Sequence, residues 1–190
     1  MQTTAGTLTL QYVPIPVEIA ENARRTRRDS FGHDLEVYRD TGPCRVCLRM
    51  SPAPENFLLL SYQPLPDRNP YAEVGPIFIH EHDCAPYSAL DAFPEDFIRR
   101  ELVLRAYDAE GRIFDAAVAS SGEGPRVAAE FLSNADVCEV HVRHTSYTCF
   151  DFKIVRKAPT ALLELDMASQ LIASLSHPSL RACRATPVSR

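Results

Sequence analysis

Val137-Cys138-Glu139-Val140-His141-Val142-Arg143 and Thr148-Cys149-Phe150-Asp151-Phe152-Lys153-Ile154-Val155-Arg156 decide how this chain folds. Both stretches alternate apolar and polar residues, the period-2 pattern of a half-buried strand. Cys138, Val140 and Val142 fall on one side of the first. Phe150, Phe152 and Ile154 fall on one side of the second. A hairpin must bring the two apolar sets to one face, because a one-residue slip would turn a whole set into water. A Thr145-Ser146-Tyr147 loop that pairs His144 with Thr148 does this. The opposite face then sets Glu139 against Lys153, His141 against Asp151 and Arg143 against Cys149, with Cβ atoms roughly 5 Å apart.

Outward from this hairpin the chain remains rich in strands. Leu102 to Tyr107 and Arg112 to Ala119 form a second hairpin, turned at Asp108-Ala109-Glu110-Gly111, where Gly supplies a positive φ. Shorter strands are expected at residues 7–13, 35–39, 44–49, 56–62 and 77–80. Helices are expected from Val17 to about Arg28 behind Pro16, around residues 94–100, over 126–133 and over 160–175. The last carries Leu162, Leu163, Leu165, Leu171, Ile172 and Leu175. Strands joined by hairpins with few helices between them specify an α+β fold: a mainly antiparallel sheet, a few peripheral helices and a C-terminal helix. The expected organisation is one domain over residues 1–157, followed by a helix and polar tail over 158–190.

Composition narrows the function classes. The 190 residues carry 20 basic and 25 acidic side chains, a net charge of −5. That balance argues against a nucleic-acid partner, which requires a basic surface. No run approaches the roughly 20 apolar residues of a membrane helix. The first ten residues lack the basic and apolar regions of a signal peptide, so the expected location is the cytoplasm, where thiols stay reduced. The seven glycines do not fall into a nucleotide-binding fingerprint.

Two groups of residues carry chemistry. On the polar face of the first hairpin, Asp151 would orient His141, and Arg143 would stabilise the thiolate of Cys149. A thiol with an imidazole, and an acid behind the imidazole, is the plan of nucleophilic catalysis, so His141, Cys149 and Asp151 are the catalytic candidates. The same face read plainly is the solvated side of an antiparallel sheet.

The second group is Cys44-Arg45-Val46-Cys47 with His80-Glu81-His82-Asp83-Cys84, which together could offer four ligands to zinc or iron. Against this, a strand over 44–49 would send Cys44 and Cys47 to opposite faces, and a metal knuckle ordinarily contains a Gly that is missing here. The metal candidates are therefore His80 and Cys84, completed by His141 or Cys149. Arg105 and Tyr107 share a face of their strand, where an arginine either is exposed or binds an anion.

Several stretches taken together resemble one family. They are Pro43-Cys44-Arg45, Phe57-Leu58-Leu59-Leu60-Ser61-Tyr62, Pro70-Tyr71-Ala72-Glu73-Val74-Gly75-Pro76-Ile77-Phe78-Ile79-His80, Leu104-Arg105-Ala106-Tyr107-Asp108 with Gly111-Arg112-Ile113, and Val140-His141-Val142-Arg143-His144 leading to Tyr147-Thr148-Cys149-Phe150. Their order resembles the bacterial domain of unknown function 1203 family over roughly residues 35–157. The resemblance implies one compact bacterial domain and no particular activity. It implies that Arg45, Tyr71, Gly75, His80, Arg105, Tyr107, Asp108, His141 and Cys149 belong to the family pattern. Thr148 stands where that pattern would have Gly, and the segment after about residue 158 is an addition to it.

The leading expectation is a protein that binds a small, anionic molecule on the polar sheet face through Arg45, Tyr71, Arg105, Tyr107 and Arg143. His141 and Cys149 would give it accessory enzyme activity. One alternative is a zinc or iron protein. The other is an interaction module that uses the helix over 160–175 to contact a protein partner or a second copy of the chain.

Overall fold

The computed structural model describes residues 8–66 and 69–157. The expected helix over 160–175 lies outside the described residues. The described elements run in the order β1 (Leu10–Val13), α1 (Val17–Thr26), β2 (Glu36–Asp40), β3 (Glu55–Tyr62), β4 (Gly75–His80), α2 (Glu95–Ile98), β5 (Leu102–Tyr107), β6 (Ile113–Ala119), α3 (Gly124–Ser133), β7 (Glu139–His144) and β8 (Phe150–Arg156). Strands β1-β8-β7-β5-β6 form one sheet and β2-β3-β4 a second. Every neighbouring pair is antiparallel. The architecture is α+β with mainly antiparallel sheet.

Alternation along the central strands builds the larger core. Leu102, Leu104 and Ala106 of β5 bury together with Val140 and Val142 of β7 and Phe152 and Ile154 of β8. Helix α3 covers them with Val127, Ala128 and Leu132, and α2 adds Phe97. A second core gathers Phe57, Leu58 and Leu60 of β3, Ile77 and Ile79 of β4, and Ala20 and Ala23 of α1. Burial at this scale supplies most of the favourable free energy, at roughly 25 cal/mol per Å² of apolar surface.

The β5–β6 turn is as expected: Gly111 takes φ 72° and donates its N–H to the Asp108 carbonyl at 3.0 Å. The segment over 44–49 is not a strand. An isolated bridge joins Pro43 to Met50, residues 45–47 turn, and Leu48 takes the left-handed φ of 52°. Leu48 is 1% exposed and packs in the larger core, whereas Cys44, Val46 and Cys47 pack in the smaller one. Burying apolar side chains in two different cores closes this turn without a glycine.

The β7–β8 register also differs from expectation. Val140 pairs with Ile154 and Val142 with Phe152, so the apolar sets do share a face, but two residues along from the expected pairing. The next pair is Arg143 with Phe150, which leaves Asp151 as the extra residue of a bulge. A bulge inserts one residue and switches the side on which its predecessors point. Phe150 therefore joins the smaller core while Phe152 stays in the larger. His141 faces Lys153, Glu139 faces Val155, and Arg143 does not face Cys149.

Candidate metal centre

The turn over 44–48 gives Cys44 and Cys47 a common side. The Leu48 N–H closes onto the Cys44 carbonyl at 3.0 Å, and the Cys44 N–H onto the Arg49 carbonyl at 3.0 Å. Strand β4 delivers His80 at its last position, with its N–H donated to Cys44 Sγ at 3.4 Å. Four residues on, Cys84 brings its Sγ to 3.7 Å from Cys44 Sγ. Cys47 Sγ lies 3.7 Å from His80 Nδ1. The four donor atoms all lie within 4.8 Å of one another.

These separations have a simple meaning. Metal–sulfur bonds of about 2.3 Å at tetrahedral angles place two sulfurs roughly 3.8 Å apart, and a sulfur and an imidazole nitrogen roughly 3.5 Å apart. The observed 3.7 Å edges are those of such a tetrahedron.

The surroundings complete the arrangement. His80 Nε2 lies 3.1 Å from Ser51 Oγ and 3.4 Å from Glu55 Oε2. Partners on Nε2 hold the proton there and leave the Nδ1 lone pair facing the sulfurs, which is how second-sphere groups orient a histidine ligand. The Phe57 ring stacks against His80 at 4.9 Å. Arg24 of α1 donates Nε–H to the His80 carbonyl at 3.1 Å and reaches Cys84 Sγ with Nη2 at 3.5 Å. Three thiolates around a dication carry one net negative charge, and the guanidinium of Arg24 offsets it.

The thiols share their protons unevenly. Hydrogen bonds from Cys47 and Cys84, with the Cys47 and His80 N–H groups, hold Cys44 well below the usual thiol range. The same contacts with Cys44 and Cys47 push Cys84 up. Among these four residues Cys44 and Cys47 are buried and Cys84 is partly exposed.

The other expected site residues fall elsewhere. His141 is fully buried on the opposite face of the large sheet from α3, and its Nε2 lies 2.8 Å from Glu139 Oε1. Burial favours the neutral imidazole and pushes its pKa down, so the hydrogen bond is Nε2–H to carboxylate and Nδ1 has no hydrogen-bond partner. Burial alone would raise Glu139, but His141 and Lys153, the latter at 3.1 Å, hold it at about 2.

Asp151 pairs with Arg45 at 3.0 Å, not with His141. The Cys149 thiol donates a long hydrogen bond to the Tyr147 carbonyl, at 3.7 Å. His80 and Cys84 are thus grouped with Cys44 and Cys47, because His141 lies in β7 and Cys149 in the loop just before β8, each with its own partners there.

Arg105 and Arg143 do converge, on Glu73, whose carboxylate oxygens lie 2.7 Å and 2.9 Å from their guanidinium groups. Tyr107 is buried with its ring 4.4 Å from His141, and Tyr71 is exposed. Glu73, Ser51 and Glu55 were not singled out from sequence. Their types are common on surfaces, and no spacing ties them to residues so far away in the chain.

In comparisons with known proteins, the family described as "Protein of unknown function (DUF1203)" matches residues 41–156. Searches of curated proteins and of solved structures found no match.

Proposed function

The chain belongs to the DUF1203 family, and on that footing we propose that it is a zinc protein whose ion is held by Cys44, Cys47, His80 and Cys84. The observation that carries this reading is the set of four donor atoms within 4.8 Å, with edges of 3.7 Å. Three thiolates and an imidazole in a tetrahedron suit zinc, which has no geometric preference of its own to satisfy. Four protein ligands leave no position for water or substrate, so the ion's role is to hold structure and not to activate a nucleophile. It would clip the 44–48 turn to the end of β4 and to the segment carrying Cys84, beneath α1. The small-molecule reading draws no comparable support, since Arg45, Arg105 and Arg143 each already face a carboxylate of the chain.

Elemental analysis of protein purified without added metal tests this. The expected result is about one zinc per chain, falling severalfold in Cys47→Ser and in His80→Ala. Protein that contains no zinc and takes none up after reduction would overturn it. Near-stoichiometric iron would replace zinc as the ion and overturn the redox-inert role.

A further inference from the structure

We infer that Cys84 is a peroxide-reactive thiolate with Cys44 as its resolving partner, so that a hydroperoxide ejects the ion from the cluster; this rests on the zinc reading above. Among the four ligands the sulfurs differ in access. Cys44 is 0% and Cys47 4% exposed, whereas Cys84 is partly exposed. Cys84 also lies on a segment without regular structure, four residues beyond the end of β4, so the strand ladder does not fix it.

The group beside it is a cation. Arg24 Nη2 stands 3.5 Å from Cys84 Sγ, and the Arg24 side chain is only 10% exposed. A guanidinium in that position stabilises the oxyanion that leaves when a peroxide bond breaks. Cys149, also partly exposed, has a carbonyl oxygen beside its sulfur instead.

The partner sulfur is in place. Cys44 Sγ lies 3.7 Å from Cys84 Sγ, and a disulfide requires about 2.0 Å, so closure takes a shift of about 1.7 Å.

The chemistry balances with one hydroperoxide, ROOH, as oxidant. Cys84 thiolate attacks the terminal oxygen. The S–O bond forms, the O–O bond breaks, and RO⁻ leaves to take a proton from water. The product is the Cys84 sulfenic acid. Cys44 thiolate then attacks Cys84 Sγ. The S–S bond forms, the S–O bond breaks and hydroxide departs. The two thiolates lose two electrons to the peroxide. Zinc keeps only Cys47 and His80 and dissociates.

The experiment treats the full chain with hydrogen peroxide in the presence of a chromogenic zinc chelator, after zinc content has been measured. Peptide mapping follows. The expected result is one zinc released per peroxide consumed and a Cys44–Cys84 disulfide, with zinc binding restored by dithiothreitol and added zinc. In Arg24→Met, loaded with zinc to the same content, release slows about tenfold. Zinc that stays bound in excess peroxide overturns the inference and leaves the zinc protein standing. So does oxidised Cys84 joined to any cysteine other than Cys44, or an unchanged rate in Arg24→Met. Protein lacking zinc before oxidation overturns the zinc reading itself.

Discussion

Arg45 lies between the two cysteines of the turn, and its guanidinium is fully engaged across the interior. Nε donates to the Phe150 carbonyl at 2.9 Å, Nη1 to the Pro43 carbonyl at 2.8 Å, and Nη2 lies 3.0 Å from Asp151 Oδ1. One side chain thus ties the candidate metal turn to the bulge in β8. Removing one partner of a buried pair leaves an uncompensated charge, so Arg45→Met is expected to cost about 3–5 kcal/mol. The cost depends on pH. Burial raises Asp151 to about 6 against the pull of Arg45, Arg100 and Arg143. An acid with a raised folded pKa binds its proton more tightly when folded. Its contribution to stability is therefore fullest below about pH 4 and declines as pH rises through about 6. Losing Arg45 hurts most when Asp151 is ionised, so the deficit is larger at pH 7.5 than at pH 5. Urea unfolding of wild type and variant at both values checks this, and equal deficits would contradict it.

Two left-handed residues show how elements are closed here. Leu48 has φ 52° and is buried, whereas Thr148 has φ 56° and is exposed in the β7–β8 loop. A side chain in this region costs roughly 1–2 kcal/mol. Thr148→Gly relieves that cost and removes no buried contact, so it is expected to raise stability by about 1 kcal/mol. Leu48→Gly relieves the same strain but empties a core position, where losing a leucine costs about 2–5 kcal/mol. It is expected to be destabilising overall by about 2 kcal/mol, once strain relief is set against the cavity. Opposite signs in denaturant midpoints for the two variants are the measurement. A less stable Thr148→Gly would show that the threonine earns its place through contacts.

At the scale of the whole molecule, the turn and the bulge are places where residues close in the chain enter different cores. Leu48 and Phe152 go to the larger core, and Cys47 and Phe150 to the smaller. The ion would sit on the smaller core, so its removal is felt unevenly. Chelation is expected to cost several kcal/mol, a fall of roughly 10 °C in Tm. Amide hydrogen exchange would then rise first in β4 and the segment after it. Residues of β5 and β7, central in the large sheet, would hold their protection. Uniform loss of protection across both sheets would show instead that the two cores unfold as one.

The alternation in β5, β7 and β8 is strong enough that sequence by itself determined the strands, their antiparallel class and, Phe150 apart, which side of each strand enters the larger core. Those properties depend on the parity of side-chain direction, which a local pattern contains. Parity left the offset open: Val140 meets Ile154 in place of Phe152, and either pairing buries the same face. Nothing in Phe150-Asp151-Phe152 marks a bulge, because the alternation runs through it unbroken. The buried ion pair with Arg45, more than a hundred residues earlier, accompanies the bulge. Cys44 and Cys47 likewise read as strand because Val46, Cys47 and Leu48 are apolar and no glycine marks a turn. Only the tertiary structure, with two cores competing for adjacent residues, folds that segment back and brings its sulfurs to His80 and Cys84. Hydrophobic periodicity is local and so legible, whereas a site made by two distant segments exists only once packing has chosen their neighbours.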